Sequence, residues 1–366
     1  MPRLTCLSAA LYPSRNRCSP HRSNRGLRWT QEQTSSLADI EIDGFRSHLH
    51  SHKSFSSIMA LRVAFLGPLA SFSHQSFARL SADLQPKSSF TDAFAALQQN
   101  EVDYAVIPCE NSTNGSVVQT LDLLADRDNS YADVKVCGEY YLTVHHCLLA
   151  RKGLYPSWSE YDGSITKLYT HPQAWGQCET FLGKYFKGVE RQDVSSTSKG
   201  GEIISKDTKE RGGAIASRFA AEHHGTDVLV ENIEDRADNT TRFLILRNVL
   251  AERTAQLEFE QPNPPTEGCA LETTHKTLIS FLIDHTAPGA LANTLLIFKN
   301  HGLNLTSINT RPSLKNPWQY IFFVECGRTP SEENKDAVYK AINDLKQVTE
   351  LCRDLGTWKD QLSANA

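Results

Sequence analysis

No apolar run in this 366-residue chain approaches the ~18 residues that a membrane-spanning helix needs. No GxGxxG and no P-loop occurs, so neither a dinucleotide nor ATP is implied. The nine cysteines show no CxxC or CxxH spacing, which argues against a zinc site and against a disulfide framework. Cys109, Cys147 and Cys326 sit in apolar runs and read as small core residues in a reducing compartment. Beyond residue 60 there is no long basic patch, and the formal net charge is −4, so nucleic acid is not an expected partner. The histidine pairs His145-His146 and His223-His224 point to opposite faces if each lies on a strand, so no metal site is expected.

What remains is a globular composition, 40% hydrophobic and 22% charged, with room for two or three domains. Residues 1 to 30 hold six arginines and no acidic residue, as organellar transit peptides do, but Asp39, Glu41 and Asp43 then break the pattern. Residues 1–59 are expected to be a disordered or targeting tail, with Met59 as the working start. The expected compartment is the cytoplasm, or a mitochondrion or plastid if the tail is a transit peptide.

From residue 61 strands and helices alternate, which predicts an α/β architecture with mostly parallel sheets. Strands are expected at Leu61–Leu66, Tyr104–Pro108, twice within Val134–Leu149, and at Lys167–Thr170, Gly213–Ser217, Val228–Val230 and Phe243–Leu246. Helices are expected after Ser73 through Phe77 and Leu80, from Thr91 to Asn100 with Thr91 or Asp92 as cap, from Val117 to Leu124, and through Cys178 and Phe181. Polar loops follow Leu66, Pro108, Thr170, Val194 and Ala216. Ligands of open α/β sheets bind at such strand ends. These loops are rich in hydroxyls and amides and poor in charge, so a pocket built from them would hold a small, oxygen-rich anion.

Gln261 to Gly268 reads as a linker. The expected division is a catalytic domain at 60–250, a linker at 251–275 and a smaller unit at 276–362. That unit reads β-α-β-β-α-β, the ferredoxin-like order, with helices at Pro288–Asn300 and Glu332–Leu345. Such units pair through sheet edges, so a homodimer or homotetramer is expected.

Asn239-Thr240-Thr241-Arg242-Phe243 places a hydroxyl, a guanidinium and an aromatic ring at the mouth of a strand. By itself it reads as a strand entrance with one solvated Arg. In combination, the motifs resemble the prephenate dehydratase family. They are Gly67-Pro68 with Ser71-Phe72-Ser73, the loop Pro108-Cys109-Glu110-Asn111-Ser112-Thr113-Asn114-Gly115-Ser116-Val117, His171-Pro172-Gln173-Ala174, Ser196-Thr197, and Thr241-Arg242-Phe243. In the C-terminal unit, Gly289-Ala290-Leu291 and Asn309-Thr310-Arg311-Pro312 resemble the two effector motifs of the family's ACT domain. The sequence departs from the family at Leu69-Ala70-Ser71, where an acidic or small residue, Gly and Thr are usual. It departs again at Asn309-Thr310, where Glu-Ser is usual.

The resemblance implies a two-lobed catalytic domain like type II periplasmic binding proteins, with the site in the cleft, and a C-terminal ACT domain. It implies conversion of prephenate to phenylpyruvate, water and carbon dioxide without a cofactor, inhibited by L-phenylalanine. Thr241 is then the expected catalytic hydroxyl beside the leaving hydroxide. Arg242 and Asn111-Ser112-Thr113 are expected on the carboxylates, with Ser71, Ser73, Ser196 and Thr197 as further donors. Glu110, His171 and Phe243 are expected to be structural. Gly289, Ala290, Leu291, Asn309, Thr310, Arg311 and Pro312 are expected to bind the effector. Residue by residue, blander readings stand beside these: Asn111 as a turn cap, Ser71 and Ser73 as helix caps, Glu110 as an ion-pair partner, His171 as a loop former. Arogenate dehydratase, and a non-catalytic amino-acid sensor, are the alternative functions.

Overall fold

The computed structural model describes residues 60–78, 82–155, 157–208, 210–254, 274–328 and 336–362. The expectations for residues 1–59 and for the Gln261–Gly268 linker lie outside the described residues. The first lobe comprises β1 (Leu61–Leu66), α1 (Phe72–Gln75), β2 (Ala82–Lys87), α2 (Phe90–Gln98), β3 (Tyr104–Asn111), β4 (Gly115–Ser116), α3 (Val118–Ala125) and β5 (Val134–Thr143). The chain then crosses into a second lobe. This holds β6 (Cys147–Ala150), β7 (Lys167–Thr170), α4 (Pro172–Trp175), α5 (Glu179–Tyr185), β8 (Glu190–Asp193), α6 (Thr197–Lys206), β9 (Gly212–Ala216), α7 (Arg218–His224) and β10 (Asp227–Val230). It returns as β11 (Thr240–Asn248), which enters the first sheet between β3 and β5.

This return decides the sheet type. β1 pairs in parallel with β2 and β3, and β7 with β8 and β9, but β11 runs antiparallel to both β3 and β5, and β6 antiparallel to β9 and β10. The sheets are therefore mixed, not mostly parallel. A strand re-entering from the other lobe approaches the first sheet at the carboxyl end of β3. Its amino end, Thr240-Thr241, consequently lies beside the carboxyl end of β3.

Several local expectations are corrected. α1 is a single turn, and Leu80 lies outside the described residues. Ser89, not Thr91 or Asp92, caps α2, accepting the Asp92 N–H at 3.0 Å. The helix expected through Cys178 and Phe181 is divided into α4 and α5. β2 escapes the apolar pattern because it is a polar edge strand containing Pro86.

The C-terminal sheet comprises β12 (His275–Leu282), β13 (Asn304–Pro312), β14 (Tyr320–Arg328) and β15 (Leu351–Lys359), with α8 (Ala290–Asn300) and α9 (Ala337–Val348). Its order β13-β14-β12-β15 is that of a ferredoxin-like βαββαβ unit. Both faces are buried. Ile279, Phe281, Val324 and Cys326 face α8 and α9, whereas Leu278, Leu282, Ile321, Phe323, Leu355 and Trp358 join one core with Ala64, Phe94, Leu97, Ile107, Leu244 and Leu246 of the first lobe. Strand alternation produces this division. Gly356 permits the close approach: a Cβ there would collide with the Val136 carbonyl of β5.

Candidate active site

The register of β11 against β3 sets Thr241 opposite Asn111. Asn111 Nδ2 donates to Thr241 Oγ1 at 3.0 Å and to Asn239 Oδ1 at 2.9 Å. Asn111 Oδ1 accepts the backbone N–H groups of Thr113 and Asn114, each at 3.0 Å. Those two donors fix which end of the Asn111 amide is oxygen, so its NH2 must face Thr241. Among the described residues no acceptor takes the Thr241 hydroxyl proton. The Asn111 oxygen thus caps the turn, as the blander reading expects, while its nitrogen donates to the threonine.

Around this pair, Ser112 Oγ accepts the Thr240 N–H at 2.9 Å and Thr113 Oγ1 donates to Asn239 Oδ1 at 3.4 Å. Asn239 is 1% exposed, and its Nδ2 has no partner among the described residues. A buried amide N–H without an acceptor carries a desolvation cost that a ligand oxygen would relieve. Asn239 has no role in the sequence reading. Its place directly before the Thr-Thr-Arg-Phe stretch was the available signal.

The second lobe supplies strand ends and helix caps. Ser196 caps α6, accepting the Lys199 N–H at 3.0 Å, and Thr197 is buried in its first turn. His171 caps α4 through Nδ1, which accepts the Gln173 N–H at 3.3 Å, and burial lowers its pKa. His171 thus shapes its loop. Ser71 caps α1 and also donates to the Leu66 carbonyl at 3.0 Å, so both functions of its hydroxyl are engaged. Ser73 is buried in α1. The β1–α1 loop bridges the lobes: Ala70 packs in the second lobe's core, and Ser198 Oγ donates to Leu69 O at 2.7 Å.

Two expectations do not survive the geometry. Arg242 is not beside Thr241's partners. Alternation along β11 turns it to the opposite face, where Nε donates to Glu139 Oε2 at 2.9 Å and Nη2 to Glu325 Oε2 at 2.5 Å. Burial works against the guanidinium's charge, but Glu325 and Glu139 outweigh it and raise its pKa further. A cation committed to two buried carboxylates cannot serve as a free anchor for a substrate. Glu110, although in register with Arg242, forms no ion pair among the described residues. Phe243 is 1% exposed and packs with Val63, Tyr104, Val106 and Ile245, fixing the strand as expected.

The two effector motifs also separate. Gly289, at a backbone φ of +80°, opens α8, and with Ala290 and Leu291 it lines an open cavity of about 550 Å³ together with Ile283, Tyr320 and Phe322. The other motif faces the first lobe. Asn309 Oδ1 accepts from Ser116 Oγ at 2.7 Å, Arg311 holds Asp122 through two 2.9 Å contacts, and the Pro312 carbonyl accepts from Arg127. Thr310 lies between them on β13. Within one chain, none of Asn309 to Pro312 lines the cavity.

The prephenate dehydratase family model matches residues 63–249, from within β1 to the end of β11. The chain belongs to the prephenate dehydratase family. A bifunctional chorismate mutase/prephenate dehydratase from Aquifex aeolicus is 36% identical over 305 residues, covering 82% of this chain and 74% of that protein. A probable prephenate dehydratase from Saccharomyces cerevisiae is 33% identical, over 78% of this chain and 92% of its own length. The chain spans 65% of a bifunctional relative from Stutzerimonas stutzeri. Among solved structures, a prephenate dehydratase from Arthrobacter aurescens in complex with L-Phe is 25% identical, with a TM-score of 0.65 over 81% of this chain and 89% of that one.

Proposed function

We propose that the protein converts prephenate to phenylpyruvate, releasing carbon dioxide and water, and that L-phenylalanine regulates it. The observation that carries this reading is the Asn111 Nδ2 to Thr241 Oγ1 hydrogen bond, which leaves the threonine proton free to be offered to a leaving hydroxide. In the reaction, the bond from the ring to its carboxylate breaks and its electron pair enters the ring. The ring double bonds shift, and the C–O bond to the ring hydroxyl breaks. Hydroxide is a poor leaving group, so a hydrogen bond in place at its departure lowers the barrier. One proton taken up overall completes the water. Gain of aromaticity supplies driving force, and no cofactor enters the balance.

In this reading Thr241 is the catalytic hydroxyl and Asn111 orients it. Asn239 Nδ2, Ser112, Thr113 and the amino end of α6 at Ser196-Thr197 bind the substrate's carboxylates and ketone. Helix N–H groups suit anions without a bound cation. The cavity at Gly289, Ala290 and Leu291 is the effector site. We divide the chain at 60–250 and 276–362 accordingly, and assign a cytoplasmic homodimer joined through the β13 edge, where Leu305 and Ile308 are exposed.

Two relatives, from Arabidopsis thaliana and Petunia hybrida, carry arogenate dehydratase in their names at 30% and 29% identity. Arogenate is therefore the second substrate to assay. Purified protein with prephenate should yield phenylpyruvate, read by its absorbance in alkali. No product from either substrate at micromolar enzyme contradicts the enzyme reading.

A further inference from the structure

We infer that Arg242 is a positioning residue that links the C-terminal sheet to Thr241. The buried cluster it forms with Glu139, Glu325 and Lys276 is then the element through which the effector site acts on the active site. The inference rests on the proposed function above.

The cluster joins every layer between the two sites. Arg242 follows Thr241 directly on β11. Glu139 lies on β5, completely buried. Lys276 on β12 donates to Glu139 Oε1 at 3.1 Å, to the Tyr141 hydroxyl at 3.2 Å and to Asp360 at 2.8 Å. Glu325 on β14 accepts from Arg242 through Oε2 and from Thr306 of β13 through Oε1 at 2.8 Å. Three acidic side chains, Glu139, Glu325 and Asp360, and the two basic ones, Arg242 and Lys276, thus share a site nearly closed to water. In such a site each contact is strong, and a misplaced one is costly.

The strands that carry the cluster also line the effector cavity. Phe322, a wall of the cavity, stands three residues before Glu325 on β14, about 10 Å along the strand. Ile283, another wall, directly follows β12, the strand that carries Lys276. The cavity lies on the helix face of the sheet and the cluster on the lobe face. A ligand that shifts β12 or β14 must therefore move the Lys276 ammonium that holds Glu139, or the Glu325 carboxylate that holds Arg242 directly. With Arg242 moves the adjoining Thr241, whose oxygen must stay 3.0 Å from Asn111 Nδ2. A second tie, Ser116 Oγ to Asn309 Oδ1, holds the hairpin of Asn111 to β13. The sheet therefore grips both members of the Thr241–Asn111 pair.

The test measures prephenate turnover with and without saturating L-phenylalanine, and L-phenylalanine binding by calorimetry, on the full chain as wild type, Glu325→Gln and Thr306→Val. Neither variant touches the cavity or the Thr241–Asn111 pair. Both should bind L-phenylalanine within about threefold of wild type, while the fraction of activity surviving saturation rises about tenfold in Glu325→Gln and about threefold in Thr306→Val. A merely structural role would lower stability and leave that surviving fraction unchanged. Variants that bind the effector and are inhibited as completely as wild type overturn the inference. If Glu325→Gln fails to fold, Thr306→Val decides. Wild-type protein without turnover, or with turnover indifferent to L-phenylalanine, contradicts the proposed function itself and removes the inference with it.

Discussion

Asn111 Nδ2 lies 3.0 Å from Thr241 Oγ1, across the antiparallel junction of β3 and β11. The two residues stand far apart in sequence and meet only because the second lobe is inserted between β5 and β11. The amide nitrogen donates, so the threonine can spend its own proton elsewhere. Asn111→Asp keeps an oxygen for the Thr113 and Asn114 N–H groups but replaces the donor with an acceptor. The threonine would then turn its proton inward. Turnover should fall about 100-fold with the melting temperature little changed, as steady-state kinetics and calorimetry would show. Wild-type turnover in Asn111→Asp would remove the orienting role.

Arg242 gives a sharper contrast. Lysine at 242 keeps the charge but cannot reach two carboxylates in a fork. Arg242→Lys should lower kcat about tenfold and leave KM for prephenate within about threefold. A large rise in KM at unchanged kcat would restore Arg242 as a substrate anchor.

Removing the charge altogether is a stability experiment. Arg242→Met leaves Glu139 and Glu325 buried with less compensation, and should cost about 3–5 kcal/mol in denaturant unfolding. A loss below about 1 kcal/mol would mean that water or a rearrangement already satisfies those carboxylates.

His146 sets a pH dependence. Burial lowers its pKa, opposed in part by its hydrogen bond to Gln177. Its Nε2 lies 2.7 Å from Gln177 Oε1 and must carry the proton, while the buried Nδ1 has no partner among the described residues. The folded-state pKa lies below the unfolded value. Stability is therefore full above about pH 6.5 and is lost as pH falls from there toward the folded value, because only the unfolded chain takes up the proton readily. The melting temperature should drop between pH 7 and pH 5.5, and His146→Gln should flatten that part of the profile. Equal slopes in the two proteins would assign the drop to other groups.

Much of the architecture was legible because it rests on local rules. Apolar runs ended by Gly67-Pro68 or by polar loops located β1, β3, β7 and β9. The ferredoxin-like order of the C-terminal unit followed from element order alone. β2 stayed hidden because an edge strand needs little apolar surface. The direction of β11 depends on a lobe insertion that no local pattern records. Arg242 was misplaced although strand alternation was available: a residue next to Thr241 on one strand must face the other way. What no residue pattern could reveal was its destination, since Glu139 and Glu325 come from two different sheets. The same holds for Asn309 and Arg311, whose partners Ser116 and Asp122 belong to the first lobe.

The most direct test of the account is the rate of phenylpyruvate formation from prephenate by Thr241→Val, a near-isosteric change that replaces the hydroxyl with a methyl group. The account predicts a kcat at least about 100-fold below wild type in a protein that melts at nearly the wild-type temperature. A Thr241→Val protein that turns over prephenate at close to the wild-type rate would contradict it.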